Sequence, residues 1–136
     1  MRALAVRGLR KRYGAIDAVD GLDLVVERGE LYGFLDPNGA GKTTTIRMVL
    51  GLIMPTEGEV EVLEERVGAG APPPLERVGA MVEEPAFWRF LSGRANLEYL
   101  ARAGGSAVDT RERLGRVDEV LARVGLADAA DKKVKA

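Results

Sequence analysis

Short apolar-rich runs at residues 3–7 (ALAVR) and 22–26 (LDLVV) predict two short strands. The segment between them holds the turn formers Tyr13-Gly14 and Asp20-Gly21, so the two strands are expected to make an antiparallel layer. Residues 31–35 (LYGFL) form a further run, apolar enough for a buried strand. Apolar residues then recur at helical spacing (Ile46, Val49, Leu50, Ile53), predicting a helix over 41–52 that stops near Met54-Pro55. Thr56-Glu57-Gly58 turns the chain into a strand over 59–63, whose alternating charges give it one wet face. Residues 68–74 (GAGAPPP) read as an unstructured surface loop, and 78–82 as a second core strand.

Past residue 90 the pattern turns helical. Ser92 is a fitting N-cap for a helix to Ala103 that carries Leu97, Leu100 and Ala101 inward. A longer helix is expected over 109–124, with Leu114, Val117, Leu121 and Val124 on one stripe and Gly125 as its stop. The pattern therefore predicts an α/β fold without internal repeats.

Composition narrows the function classes. The 136 residues are 46% hydrophobic and 30% charged, as in an ordinary soluble domain or a piece of one. Twenty basic and 21 acidic residues leave a net charge of −1, so no polybasic footprint points to nucleic acid or anionic lipid. Cysteine is absent, which excludes disulfides and thiolate metal sites and fits a cytoplasmic protein. No apolar stretch reaches the roughly 18 residues of a membrane span.

The chemistry concentrates in Asp36-Pro37-Asn38-Gly39-Ala40-Gly41-Lys42-Thr43-Thr44, between the 31–35 run and the first helix. This matches the phosphate-binding pattern G-x-x-x-x-G-K-[ST] at every position except the first, where Asp36 replaces glycine. Gly39 and Gly41 allow successive backbone amides to turn inward around phosphate oxygens. The helix that follows aims its orphan N–H groups and dipole at the same charge. Lys42 supplies a mobile cation for the terminal phosphates, the Thr43 hydroxyl a ligand for magnesium, and Thr44 a contact to the innermost phosphate.

Asp36 opposes this design. At ~7 Å and an effective dielectric of about 20, a carboxylate costs roughly 2–3 kcal/mol per phosphate charge before screening. Binding is then expected to weaken on the order of ten- to a hundredfold. Because Asp36 precedes Pro37, an extended backbone there is unstrained.

Taken in order along the whole chain, these segments resemble the ATP-binding subunit of an ABC transporter. The resemblance implies a P-loop NTPase core (31–85) with an antiparallel β layer (1–30) and the start of a helical subdomain (86–136), incomplete at 136 residues. It implies that Tyr13, in LRKRYGAIDAV, stacks on adenine and that Val19 lies near the ribose; a plain turn tyrosine is the other reading. It implies that Glu83, in Val82-Glu83-Glu84-Pro85, stands where many relatives carry a glutamine that links the magnesium site to the membrane subunit. That variant, followed by Phe87, Trp88 and Phe90, looks like drug- and bacitracin-resistance exporters. The three aromatics fall where a permease would dock, but could equally be core residues of the helical part.

The resemblance also brings expectations of ATP and magnesium as ligands, a second ATP-binding subunit as dimer partner, and a place at the cytoplasmic face of the membrane through a permease. Leu91-Ser92-Gly93-Arg94 echoes the family's L-S-G-G-Q signature, but it follows the phosphate loop too soon and continues as a capped helix. No apolar strand ending in Asp-Glu occurs and no histidine is present, so this stretch is expected to be roughly the first half of such a subunit and not to hydrolyse ATP by itself. A non-catalytic nucleotide-binding or interaction fragment is the rival reading, whereas a GTPase lacks its N-K-x-D motif here.

Overall fold

β1 (Arg2–Tyr13) and β2 (Ile16–Glu27) form a long antiparallel hairpin in the computed structural model, which describes residues 1–35, 40–74, 77–82, 87–103 and 109–134. The chain divides into two units, Met1–Glu84 and Pro85–Ala136.

In the first unit the two expected strands extend well beyond 3–7 and 22–26, because the ladder absorbs irregularities through bulges. Val6 pairs with Leu24 and Leu9 with Leu22, so β1 carries an extra residue at Gly8 (φ 54). The Asp23 carboxylate accepts the Gly8 N–H at 2.7 Å and satisfies the donor that the bulge displaces. Val6 and Leu9 consequently both reach the core, although they are three apart. Asp20-Gly21, read above as a turn, is a second irregularity inside β2, with Gly21 at φ 70. The true hairpin turn is Gly14-Ala15, flanked by the pair Tyr13 and Ile16.

β3 (Glu57–Val62) and β4 (Glu65–Val67) extend the same sheet, giving the antiparallel order β2-β1-β3-β4. α1 (Ala40–Val49) packs on this sheet, with Met48 buried among Val6, Leu9, Val19, Val60 and Val62. It ends earlier than its periodicity implied. The Gly51 amide donates to Met48 O and the Leu52 amide to Arg47 O, a Schellman closure with Gly51 at φ 66. Residues 68–74 are more ordered than a free loop: Gly68 and Ala71 exchange backbone hydrogen bonds, and Pro73 and Pro74 are buried.

Two expected core strands do not form. Residues 31–35 and 78–82 carry no strand pairing, and Leu31 and Leu35 are 100% and 91% exposed. An apolar run becomes a strand only when a neighbour takes its N–H and C=O groups; among the described residues no strand lies beside either run. Phe34 and Val78 still pack against the core.

In the second unit α2 (Gly93–Ala103) starts as expected, the Ser92 hydroxyl accepting the Ala95 N–H at 3.1 Å. α3 (Thr110–Arg123) is capped by Asp109, whose side chain accepts the Arg111 N–H. Gly125 (φ 72) closes it by the same Schellman pattern as α1. Val117 and Leu121 form a small core with Ala130, and Leu97 and Ala101 pack against it. Leu100 and Val124, expected inward, are exposed. The inner stripe of α2 runs through Leu97 and Ala101, and Val124 sits at the cap where the chain turns away. Arg94 ties the unit together by pairing with Asp118 and, at 3.1 Å, with Asp131.

Candidate functional site

The first helix begins at Ala40, so Gly41, Lys42, Thr43 and Thr44 fall in its opening turn. No acidic residue shares that turn, and Arg47 sits in the last turn, where a cation complements the dipole. The positive end of the helix dipole therefore faces a site free of competing carboxylates within the helix. Lys42, Thr43 and Thr44 are half-buried. Asp36, Pro37, Asn38, Gly39 and Glu83 lie outside the described residues, as does the side chain of Ala40.

An open cleft of about 410 Å³ separates β2 from the start of α1, lined by Val19, Asp20, Leu22, Phe34, Gly41 and Thr45 among others. It brings together two expected site residues, Val19 and Gly41. Most of the Val19 side chain nevertheless belongs to the core. Thr45 is 3% exposed and its Oγ1 has no hydrogen-bond partner among the described residues, an unusual state for a buried hydroxyl. Sequence reasoning passed over it, though its signal was available: Thr45 stands four residues after Gly41, on the same helical face.

Tyr13 is not part of the cleft wall. It sits at the tip of the β1–β2 hairpin, 50% exposed, with the Lys11 ammonium 5.2 Å from its ring centroid. Across the turn, Arg12 grips Asp17 through two hydrogen bonds, of 2.6 and 2.9 Å. That hydrogen bonding, reinforced by the guanidinium charge, holds the Asp17 carboxyl below its ordinary pKa.

Magnesium, which the phosphate-loop pattern implies, fits the donor chemistry present. Thr43 offers a hard hydroxyl oxygen, and magnesium retains most of its water shell and asks the protein for few ligands.

The aromatic trio splits in two. Phe87 and Phe90 are exposed, whereas Trp88 packs edge-on against Tyr99 with centroids 4.4 Å apart. The fully buried Asn96 accepts the Trp88 N–H at 2.8 Å and donates to the carbonyls of Trp88 and Ser92.

Comparison with known proteins adds an independent line. A family model described as "ABC transporter" matches residues 19–136. The chain is 44% identical over 126 residues to the bacitracin transport ATP-binding protein BcrA of Bacillus licheniformis, covering 93% of this chain and 40% of that one. It is 41% identical over 133 residues to the daunorubicin resistance ATP-binding protein DrrA3 of Streptomyces coeruleorubidus, covering 98% and 42%. The chain thus spans well under half the length of these relatives. Its fold matches a dimeric ATP-binding cassette solved in a post-hydrolysis state with ADP and Pi, with a TM-score of 0.73 at 23% identity, over 96% of this chain and 61% of that one.

Proposed function

This chain belongs to the ABC transporter family, and on that premise we propose that it is the nucleotide-binding part of an exporter's ATP-binding subunit, holding Mg-ATP through residues 36–44. The observation that carries the reading is the opening turn of α1, where Gly41, Lys42, Thr43 and Thr44 come together at the positive end of a helix with no acidic residue. Their roles follow from chemistry: amides around Asn38 to Gly41 cradle phosphate oxygens, Lys42 neutralises the terminal phosphates, and Thr44 meets the innermost one. Thr43 would hold magnesium, with Glu83 ordering a water on it. Magnesium held there would supply positive charge against the terminal phosphates. Tyr13 stacks on the base and Val19 borders the ribose.

Within a full-length subunit this grip would power export, the cassette pairing with a second ATP-binding subunit and docking on a membrane permease through Phe87, Trp88 and Phe90. That places it at the cytoplasmic face of a membrane. Support comes from relatives named for bacitracin transport and daunorubicin resistance, and from the dimeric state of the structural neighbour. Asp36 favours a second reading, a fragment whose weakened site binds nucleotide without turning it over.

Titration calorimetry with Mg-ATP tests the proposal. Weak binding by the native chain, tightened about ten- to a hundredfold by Asp36→Gly and lost in Lys42→Ala, is the expected series. Equal affinity in the native chain and Lys42→Ala would overturn the phosphate grip, and an unimproved Asp36→Gly would remove the weakened-site reading.

A further inference from the structure

Lys11 and Tyr13 stand two positions apart on β1, the spacing that puts side chains on one face of a strand. The Lys11 ammonium lies 5.2 Å from the Tyr13 ring centroid, within reach of a cation–π contact. Its position is fixed further, because Nζ donates to the Met54 carbonyl at 2.6 Å. Neighbouring residues are stitched to the same segment. The Arg12 N–H donates to Thr56 Oγ1 at 3.0 Å, and the Thr56 N–H donates to the Arg10 carbonyl at 2.9 Å. Arg12 itself is turned to Asp17 across the hairpin. Residues 54–56 therefore act as a strap beneath the hairpin tip, and Lys11 transmits that constraint to the tyrosine ring.

An aromatic ring has two faces, and a base can stack on only one at a time. The ammonium takes one face of Tyr13, and the residue remains half exposed. A cation on one side also draws π density toward itself, which makes the other side a better platform for an electron-rich heterocycle.

We propose that Lys11, anchored on the Met54 carbonyl, is a positioning residue that holds the Tyr13 ring edge and face ready for the flat base of a nucleotide. The proposal rests on the nucleotide-binding reading above and assigns Lys11 to the base, not to the phosphates. Lysine chemistry alone would suggest the opposite, since a basic residue near a triphosphate site is ordinarily read as a phosphate contact.

Two ligands separate the assignments: Mg-ATP, and magnesium tripolyphosphate, which has the phosphates without the base. Lys11→Met, which keeps the apolar stem, is expected to weaken Mg-ATP binding about two- to fivefold, the size of an exposed cation–π contact. Tripolyphosphate binding should be unchanged, Lys11→Arg should stay close to the native chain, and Lys11→Met should add nothing to Tyr13→Ala. Tyrosine ring NMR gives a readout that needs no ligand. The three tyrosines (Tyr13, Tyr32 and Tyr99) can be assigned by substitution, and Lys11→Met should move the Tyr13 ring signal alone. Equal weakening of both ligands would overturn the proposal, as would full additivity with Tyr13→Ala or an unmoved Tyr13 signal. If the native chain binds neither ligand, the nucleotide reading falls. The ring signal then decides alone whether Lys11 positions Tyr13.

Discussion

Residues 22–26 (LDLVV) and 31–35 (LYGFL) are neighbouring apolar runs, yet only the first is a strand. Leu22, Leu24, Val25 and Val26 each face a partner on β1, and Leu24 is buried in the core. Leu31 and Leu35 lie in coil, open to solvent. Each run carries four hydrophobic residues in five, so apolar content does not separate them. Apolar content therefore sets where a strand would be worth forming, and an adjacent backbone with free donors and acceptors decides whether it forms.

The largest expected break in this contrast is in side-chain truncation. Leu9→Ala, at a fully buried site of the hairpin, should cost about 2–5 kcal/mol, while Leu35→Ala should stay within about 0.5 kcal/mol, both read from urea unfolding midpoints. A comparable loss at Leu35 would show that the run is packed in solution after all.

Backbone crowding sharpens the same contrast at a smaller scale. A Cβ at Gly58 would lie 2.4 Å from the Gly8 carbonyl oxygen, and Gly58 has φ 89, so Gly58→Ala should cost about 1–3 kcal/mol. Gly33, inside the unpaired run, has open space around it, and Gly33→Ala should be neutral or stabilising by about 0.4 kcal/mol. Thermal unfolding of the two variants side by side checks both.

The smallest effect is electrostatic. Hydrogen bonds from Arg12 and Arg7 hold the carboxyls of Asp17 and Glu61 below their ordinary values, with the guanidinium charges adding to the shift and desolvation opposing it. A carboxyl whose folded pKa lies below its unfolded one stabilises the fold fully above the unfolded value, about 4, and loses that contribution as pH falls through the folded value. Both groups are exposed, so the sheet should weaken only slightly as pH falls below about 4. Arg12→Gln should flatten its share of that slope in a urea series over pH.

These contrasts explain which parts of the molecule were readable from its residues. The two helices of the second unit were, because Ser92, Asp109 and Gly125 act on backbone groups within a few positions of themselves. The inner ladder was only partly so. Leu63 and Glu64 turn at φ 52 and 68 without a glycine to announce it, which hid β4, and Asp20-Gly21 bends a strand without ending it. At the candidate site, spacing put Gly41, Lys42, Thr43 and Thr44 at a helix start, and α1 does begin there. Thr45 and Lys11 were missed because their significance comes from distant neighbours, Val19 across the cleft and Met54 beneath the hairpin tip.

The saturated amide of Asn96 has its own consequence. By clamping both backbone groups of Trp88, it pins the main chain between two exposed rings, Phe87 and Phe90. Any contact made through that stretch would have less chain left to order.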